Sequence, residues 1–216
     1  VKDEVYHLYN RGVARMPMFT KPSEFLRFIH LIEYCHFANT PVSFSLYKKR
    51  TIEKRKEILQ TLYEQNDCHV EIMAFCLMNN HFHLLIRQMT ENGSTKFIGN
   101  IQNGYGKFFN MKHKRTGPVF QPGFQAVRVE TDEQLLHVSR YIHLNPTTAY
   151  IVKSEELDTY QWSSLPGYLD GNKCFPFVSM DTLLGLINGE NAYKTFTFDQ
   201  ASYQQELCRI KHLVFE

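Results

Sequence analysis

Residues 69–88 constrain this chain more than any other stretch. An apolar run, His69–Leu77, leads to Asn79-Asn80, and a second run, His81–Gln88 (HFHLLIRQ), follows at once. Two short apolar runs around a turn dipeptide predict two strands of a buried hairpin. The rest of the pattern is built around it. Val5–Asn10 predicts a strand that ends at Asn10-Arg11-Gly12. Ser23–Phe37 carries Phe25, Phe28, Ile29 and Ile32 at helical spacing after Pro22. Residues 38–50 look irregular, and Ile52–Asn66 predicts a charged helix. Ser94–Lys114 predicts a helix weakened by Gly104 and Gly106. Phe124–Glu130 alternates as a strand. Thr131-Asp132-Glu133-Gln134 forms a capping box for a helix that Pro146 should stop. Two short helices are expected near 181–188 and 201–213, with Trp162-Ser163-Ser164 in a loop.

The order β-α-(insert)-β-β-α-β-α predicts an α+β fold: a ferredoxin-like antiparallel sheet with helices on one face. A helical insert occupies about residues 39–66. Residues 1–165 are read as the main domain and 166–216 as a helical C-terminal appendage. A chain of 216 residues with 43% hydrophobic and 21% charged residues can bury a core, which argues against a disordered chain. It has no apolar stretch near the ~20 residues of a membrane span, and VKDEVYHLYNRG does not read as a leader. The five cysteines include no CxxC pair, so reduced thiols in a cytoplasmic protein are expected.

The net charge of +2 hides a segregation. Residues 87–128 carry a net of +6, residues 129–216 a net of −6. The basic block includes Lys112, Lys114, Arg115 and Arg128 and is interleaved with aromatics, a pattern that suits a phosphate backbone with bases stacked nearby. Ordinary solvated charges would look the same.

Two sets of residues could carry chemistry. His81 and His83 sit at i and i+2 of a strand, so both imidazoles leave one face and could ligate one divalent metal. His137, Tyr141 and Asn145 recur every four residues on one helix face. Tyr141 is a phenol able to attack phosphorus, and Asn145 offers a neutral oxygen. Taken singly, the histidines could be hydrogen-bonded surface groups, Tyr141 a half-buried aromatic and Asn145 a cap. Tyr105, between two glycines of the basic block, is a second tyrosine candidate, but its spacing to Ile101 and Phe109 favours a core or base-stacking role.

Five blocks together resemble a known family. CLMNNHFHLLI is similar to the His-hydrophobic-His segment of the Y1 transposases, the IS200-like HUH single-strand nucleases. YHLYNRG, FFNMKHKRTGPVFQPGFQAVRVE, RYIHLNP and QWSSL resemble the branch called REP-associated tyrosine transposases, in the same order, over roughly residues 5 to 165. The resemblance implies that His81, His83 and Asn145 hold Mg²⁺ or Mn²⁺ and that Tyr141 is the nucleophile. It implies cleavage and rejoining of single-stranded or hairpin DNA through a 5′-phosphotyrosine, in a nucleoid-associated protein. Asn10, Arg11, Lys112, Lys114, Arg115 and Arg128 are candidate DNA contacts, and His137 is a further ligand or proton acceptor. Relatives exist that share active sites across a homodimer and relatives that act alone, so the resemblance leaves that open.

Three other readings compete. One is a DNA- or RNA-binding module of the same fold without cleavage. Another is a zinc hydrolase built on His81, His83 and His137, though no acidic residue accompanies that motif. The third is a structural protein with ordinary core histidines.

Overall fold

The computed structural model describes residues 1–199. The expected helix at 201–213 therefore lies outside the described residues. Four strands form one sheet: β1 (Val5–Arg11), β2 (Val70–Met78), β3 (His81–Gln88) and β4 (Gln125–Val129). Their order is β2-β3-β1-β4, and every neighbouring pair is antiparallel. This is the ferredoxin-like arrangement: the second and third strands form a hairpin and the first lies at the centre beside the third. The Asn79-Asn80 turn joins β2 to β3 as its dipeptide predicts.

Two crossover helices, α1 (Pro22–Cys35) and α4 (Gly93–Lys112), share one face of the sheet. Their apolar stripes close over Leu8, Phe82, Leu84 and Ile86. Gly104 does not break α4. Instead it lets the helix approach α1, since a Cβ there would fall 2.8 Å from Leu31 Cδ2. The insert holds two helices, α2 (Phe44–Lys49) and α3 (Ile52–Gln65). The stretch 38–50 is thus partly helical, because Tyr47 stacks on Tyr34 of α1 with ring centroids 4.5 Å apart.

The helices expected on one face are α1 and α4; the opposite face is covered as well. There α5 (Asp132–Thr148) packs Leu135, Ile142 and Leu144 with Ala74, Cys76 and Leu85 in a second core. Three short helices continue that core: α6 (Leu165–Leu169), α7 (Asp181–Leu186) and α8 (Glu190–Phe198). They bury Tyr168, Leu183 and Tyr193 completely. His143 of α5 ties them together, with Tyr193 Oη and Ser164 Oγ each 2.8 Å from one of its ring nitrogens.

Pro146 does not stop α5 as its residue type predicts; the helix runs on to Thr148. Proline removes one backbone donor and usually costs about 3 kcal/mol inside a helix. Local bonds and burial offset this here. The Thr147 and Thr148 hydroxyls donate to the carbonyls of Leu144 and Asn145, and residues 142–148 are all buried. The Trp162-Ser163-Ser164 loop is also more ordered than its composition suggests. It pairs with the outer edge of β2: Leu77 N–H donates to Trp162 O (2.9 Å) and Ser164 N–H to Phe75 O (3.0 Å). Among the described residues no helix is long and apolar enough to cross a membrane.

Candidate active site

Register alone assembles the site. In the β1–β3 pairing Tyr9 faces His83 and Arg11 faces His81, while His7 sits two residues further along opposite Leu85. Alternation then puts His7, Tyr9, Arg11, His81 and His83 on the same face, the one that α5 crosses. They line a cavity of about 450 Å³ with Asn10, the Gln121-Pro122-Gly123 turn and Tyr141.

Tyr141 reaches this cavity from α5 and is 42% exposed, whereas the helix around it is buried. Its ring centroid lies 5.6 Å from that of His83 and 6.0 Å from that of His7, both edge-on. A phenol at an open mouth beside two imidazoles can meet a large polymeric substrate without the fold opening.

The histidines are held neutral. Burial pushes His81 down to about 4, helped by the Arg11 charge, and burial alone pushes His7 to about 4. His83 falls well below its usual range through burial, with His81, His7 and Arg11 adding to it. A neutral imidazole can be a metal ligand. His81 Nδ1 lies 2.7 Å from Asn80 Oδ1, which can only accept, so His81 carries its proton there and has its Nε2 lone pair free for a cation. His83 Nδ1 lies 2.9 Å from His7 Nε2, and its own Nε2 is buried without a hydrogen-bond partner. An orphaned buried nitrogen beside a second available lone pair fits a divalent cation. Among the described residues no three His, Cys, Asp or Glu side chains are grouped to hold a metal, so the remaining ligands would be neutral protein oxygens, water or a substrate oxygen.

The other expected site residues divide. Asn145 is buried one turn from Tyr141, but it is not among the cavity-lining residues, and its Nδ2 donates to the Tyr141 carbonyl (2.9 Å). Asn10 lines the cavity and pins its rim, donating from Nδ2 to Gln121 O (3.2 Å). Arg11 is the cationic side chain of the lining. His137 points away, toward Arg140 (2.6 Å) and the Phe196 ring, so a triad with His81 and His83 is not assembled. Tyr105 is fully buried on the α1–α4 face, donates to Met18 O (2.5 Å) and is pushed far up by burial.

The basic candidates do not line the cavity either. Lys112 pairs with Glu24 (2.8 Å) and Arg128 with Glu4 (2.5 Å). Arg115 donates to Pro118 O (3.2 Å), and Lys114 sits at a left-handed turn position, φ 50°. Sequence reasoning missed His7 and Tyr9. The signal was there, in a His-x-Tyr alternation on the first strand, but its meaning needed the pairing with β3.

Residues 33–145 match the family model described as Transposase IS200 like. Among solved structures, one of a REP-associated tyrosine transposase bound to a REP hairpin resembles this chain with a TM-score of 0.53 at 13% identity. It covers 83% of this chain and 86% of that one. At that identity the likeness speaks for the fold. No curated protein matches the chain.

Proposed function

Because this chain belongs to the IS200-like transposase family, we propose that it is a metal-dependent single-strand nuclease and strand transferase of the REP-associated branch, with Tyr141 as its one nucleophile. The observation that carries this reading is Tyr141 standing half-exposed over the neutral His83 imidazole at a cavity mouth.

His81 and His83 would hold Mg²⁺ or Mn²⁺ through their Nε2 atoms, and Asn145, one turn along α5 from Tyr141, would add its amide oxygen as the third ligand. When bound, such an ion polarises the scissile phosphate and stabilises the charge that builds on its oxygens. The chain's own residues do the rest. Tyr141 Oη forms a bond to phosphorus as the bond to the 3′ oxygen breaks. The phenol gives up its proton, the departing oxygen takes one up as a 3′-hydroxyl, and the strand stays linked through a 5′-phosphotyrosine. The ester energy is retained, so attack by another 3′-hydroxyl rejoins DNA without ATP. Arg11 offers a phosphate contact at the rim, and Asn10 keeps the 121–123 turn in place to receive the strand. Single-stranded or hairpin DNA is the fitting substrate, because an exposed backbone must reach the cavity floor. Tyr141 and His83 meet within one chain, which supports an active site that a single copy can complete.

Incubating the protein with hairpin oligonucleotides and Mn²⁺, then running denaturing gels, tests the reading. A covalent adduct is expected with the native chain and none with Tyr141→Phe. An adduct that survives Tyr141→Phe refutes the assignment.

A further inference from the structure

His7 has no part in the reaction as described, yet it is hydrogen-bonded to one of the two proposed metal ligands. Its ring stacks on that of His83 with centroids 5.1 Å apart and planes 24° apart, and His7 Nε2 lies 2.9 Å from His83 Nδ1. Both rings are buried, at 9% and 5% exposure. At 2.9 Å the two nitrogens share one hydrogen, so one must donate and the other accept.

The two possibilities differ in what they do to the far nitrogen of His83. If His7 donates, the His83 proton sits on Nε2, where it would be a buried N–H without an acceptor. An unsatisfied buried donor costs about 1–3 kcal/mol, and a protonated nitrogen cannot bind a cation. If His83 donates from Nδ1, its Nε2 is a bare lone pair in the lining of the cavity. Nε2 has no hydrogen-bond partner in either case, but a bare nitrogen can be satisfied by a cation and an N–H there cannot, which favours the second arrangement.

We propose that His7 is a positioning residue: its Nε2 accepts the Nδ1 proton of His83, which fixes the His83 tautomer and ring orientation so that Nε2 faces the cavity as a lone pair. This rests on the reading of His83 as a divalent-metal ligand. Metal-bound histidines usually give their second N–H to a carboxylate, a carbonyl or water. A neutral imidazole in that role has a particular merit here. It orients the ligand without adding negative charge beside the place where a DNA phosphate must sit, and the cavity lining contains no Asp or Glu.

Mn²⁺ binding to the full chain, followed by electron paramagnetic resonance, and the His83 tautomer, followed by long-range ¹H–¹⁵N correlation, test the proposal together. In the native protein His83 should carry its proton on Nδ1. His7→Leu, which fills the space but cannot accept, should weaken Mn²⁺ binding by about 10–100-fold. His7→Gln, whose side-chain oxygen can accept the same proton, should recover most of that loss. Circular dichroism melts establish that each variant is folded. A native His83 protonated on Nε2 overturns the role of His7. So does a folded His7→Leu that binds Mn²⁺ as tightly as the native chain. A native protein that binds no Mn²⁺ overturns the metal-dependent reading of the site, and the role of His7 with it.

Discussion

Replacing Glu24 with glutamine should cost most of the stability that a single buried carboxylate supplies to this fold. Glu24 is the third residue of α1 and is completely buried. One of its oxygens accepts from Thr20 N (2.7 Å), Thr20 Oγ1 (3.0 Å) and Lys21 N (3.1 Å). The other faces Lys112 Nζ (2.8 Å) and His113 Nε2 (2.9 Å) at the far end of α4. Burial pushes this carboxyl up, but the bonds from Lys112, Thr20 and His113 overcome it and hold it at about 2 against a usual 4.5. A displacement of that size corresponds to roughly 3 kcal/mol of preference for the folded state at neutral pH. Glutamine keeps an oxygen for Thr20 and Lys21 but turns N–H groups toward two donors. Urea unfolding at pH 7 should therefore show a loss of about 2–3 kcal/mol in Glu24→Gln.

The sign of the pH dependence follows from the lowered value. The contribution is fully present above about 4.5 and is lost as pH falls through the window down to about 2. Native protein should lose this increment across that window, and Glu24→Gln should show a correspondingly shallower acid limb. If the two proteins unfold at the same urea concentration at pH 7, Glu24 is not the clamp between α1 and α4 described above.

Other changes separate structure from chemistry. Tyr105→Phe removes the bond to the Met18 carbonyl from a well-packed aromatic core and should cost about 1–2 kcal/mol in urea unfolding, while DNA adduct formation on denaturing gels stays intact. Gly93→Ala should lower the melting temperature, because the new Cβ would fall 2.2 Å from the His69 carbonyl oxygen, a backbone atom that already accepts from Met89 N and Thr90 N. Such crowding typically costs about 1–3 kcal/mol.

Much of this architecture is legible in local pattern. The hairpin of β2 and β3 declares itself through two apolar runs and Asn79-Asn80, and the i, i+2 spacing of His81 and His83 gives their common face. The capping box at Thr131 marks the start of α5, where Thr131 Oγ1 accepts from Gln134 N (3.1 Å). What escapes local pattern depends on distant partners. Six-residue α2 has no periodic stripe of its own and depends on Tyr34 of α1. Pro146 reads as a stop until the burial of the following turn is known. His7 acquires its meaning from a strand 76 residues away. The basic block shows the same dependence: Lys112 and Arg128 pair with carboxylates contributed by Glu24 and Glu4, far from them in sequence.

The pairing of Trp162–Ser164 along β2 bears on how copies of this molecule can associate. A sheet edge with free N–H and C=O groups is a template for another chain's strand. At β2 those groups already serve the chain's own backbone at Phe75 and Leu77, and Ser179 N–H donates to Ile72 O further along. The opposite edge is β4, only five residues long, with Arg128 next to its end bonded to Glu4. A strand that short is a poor seed for growth. Among the described residues, strand-to-strand polymerisation therefore has no long edge to start from.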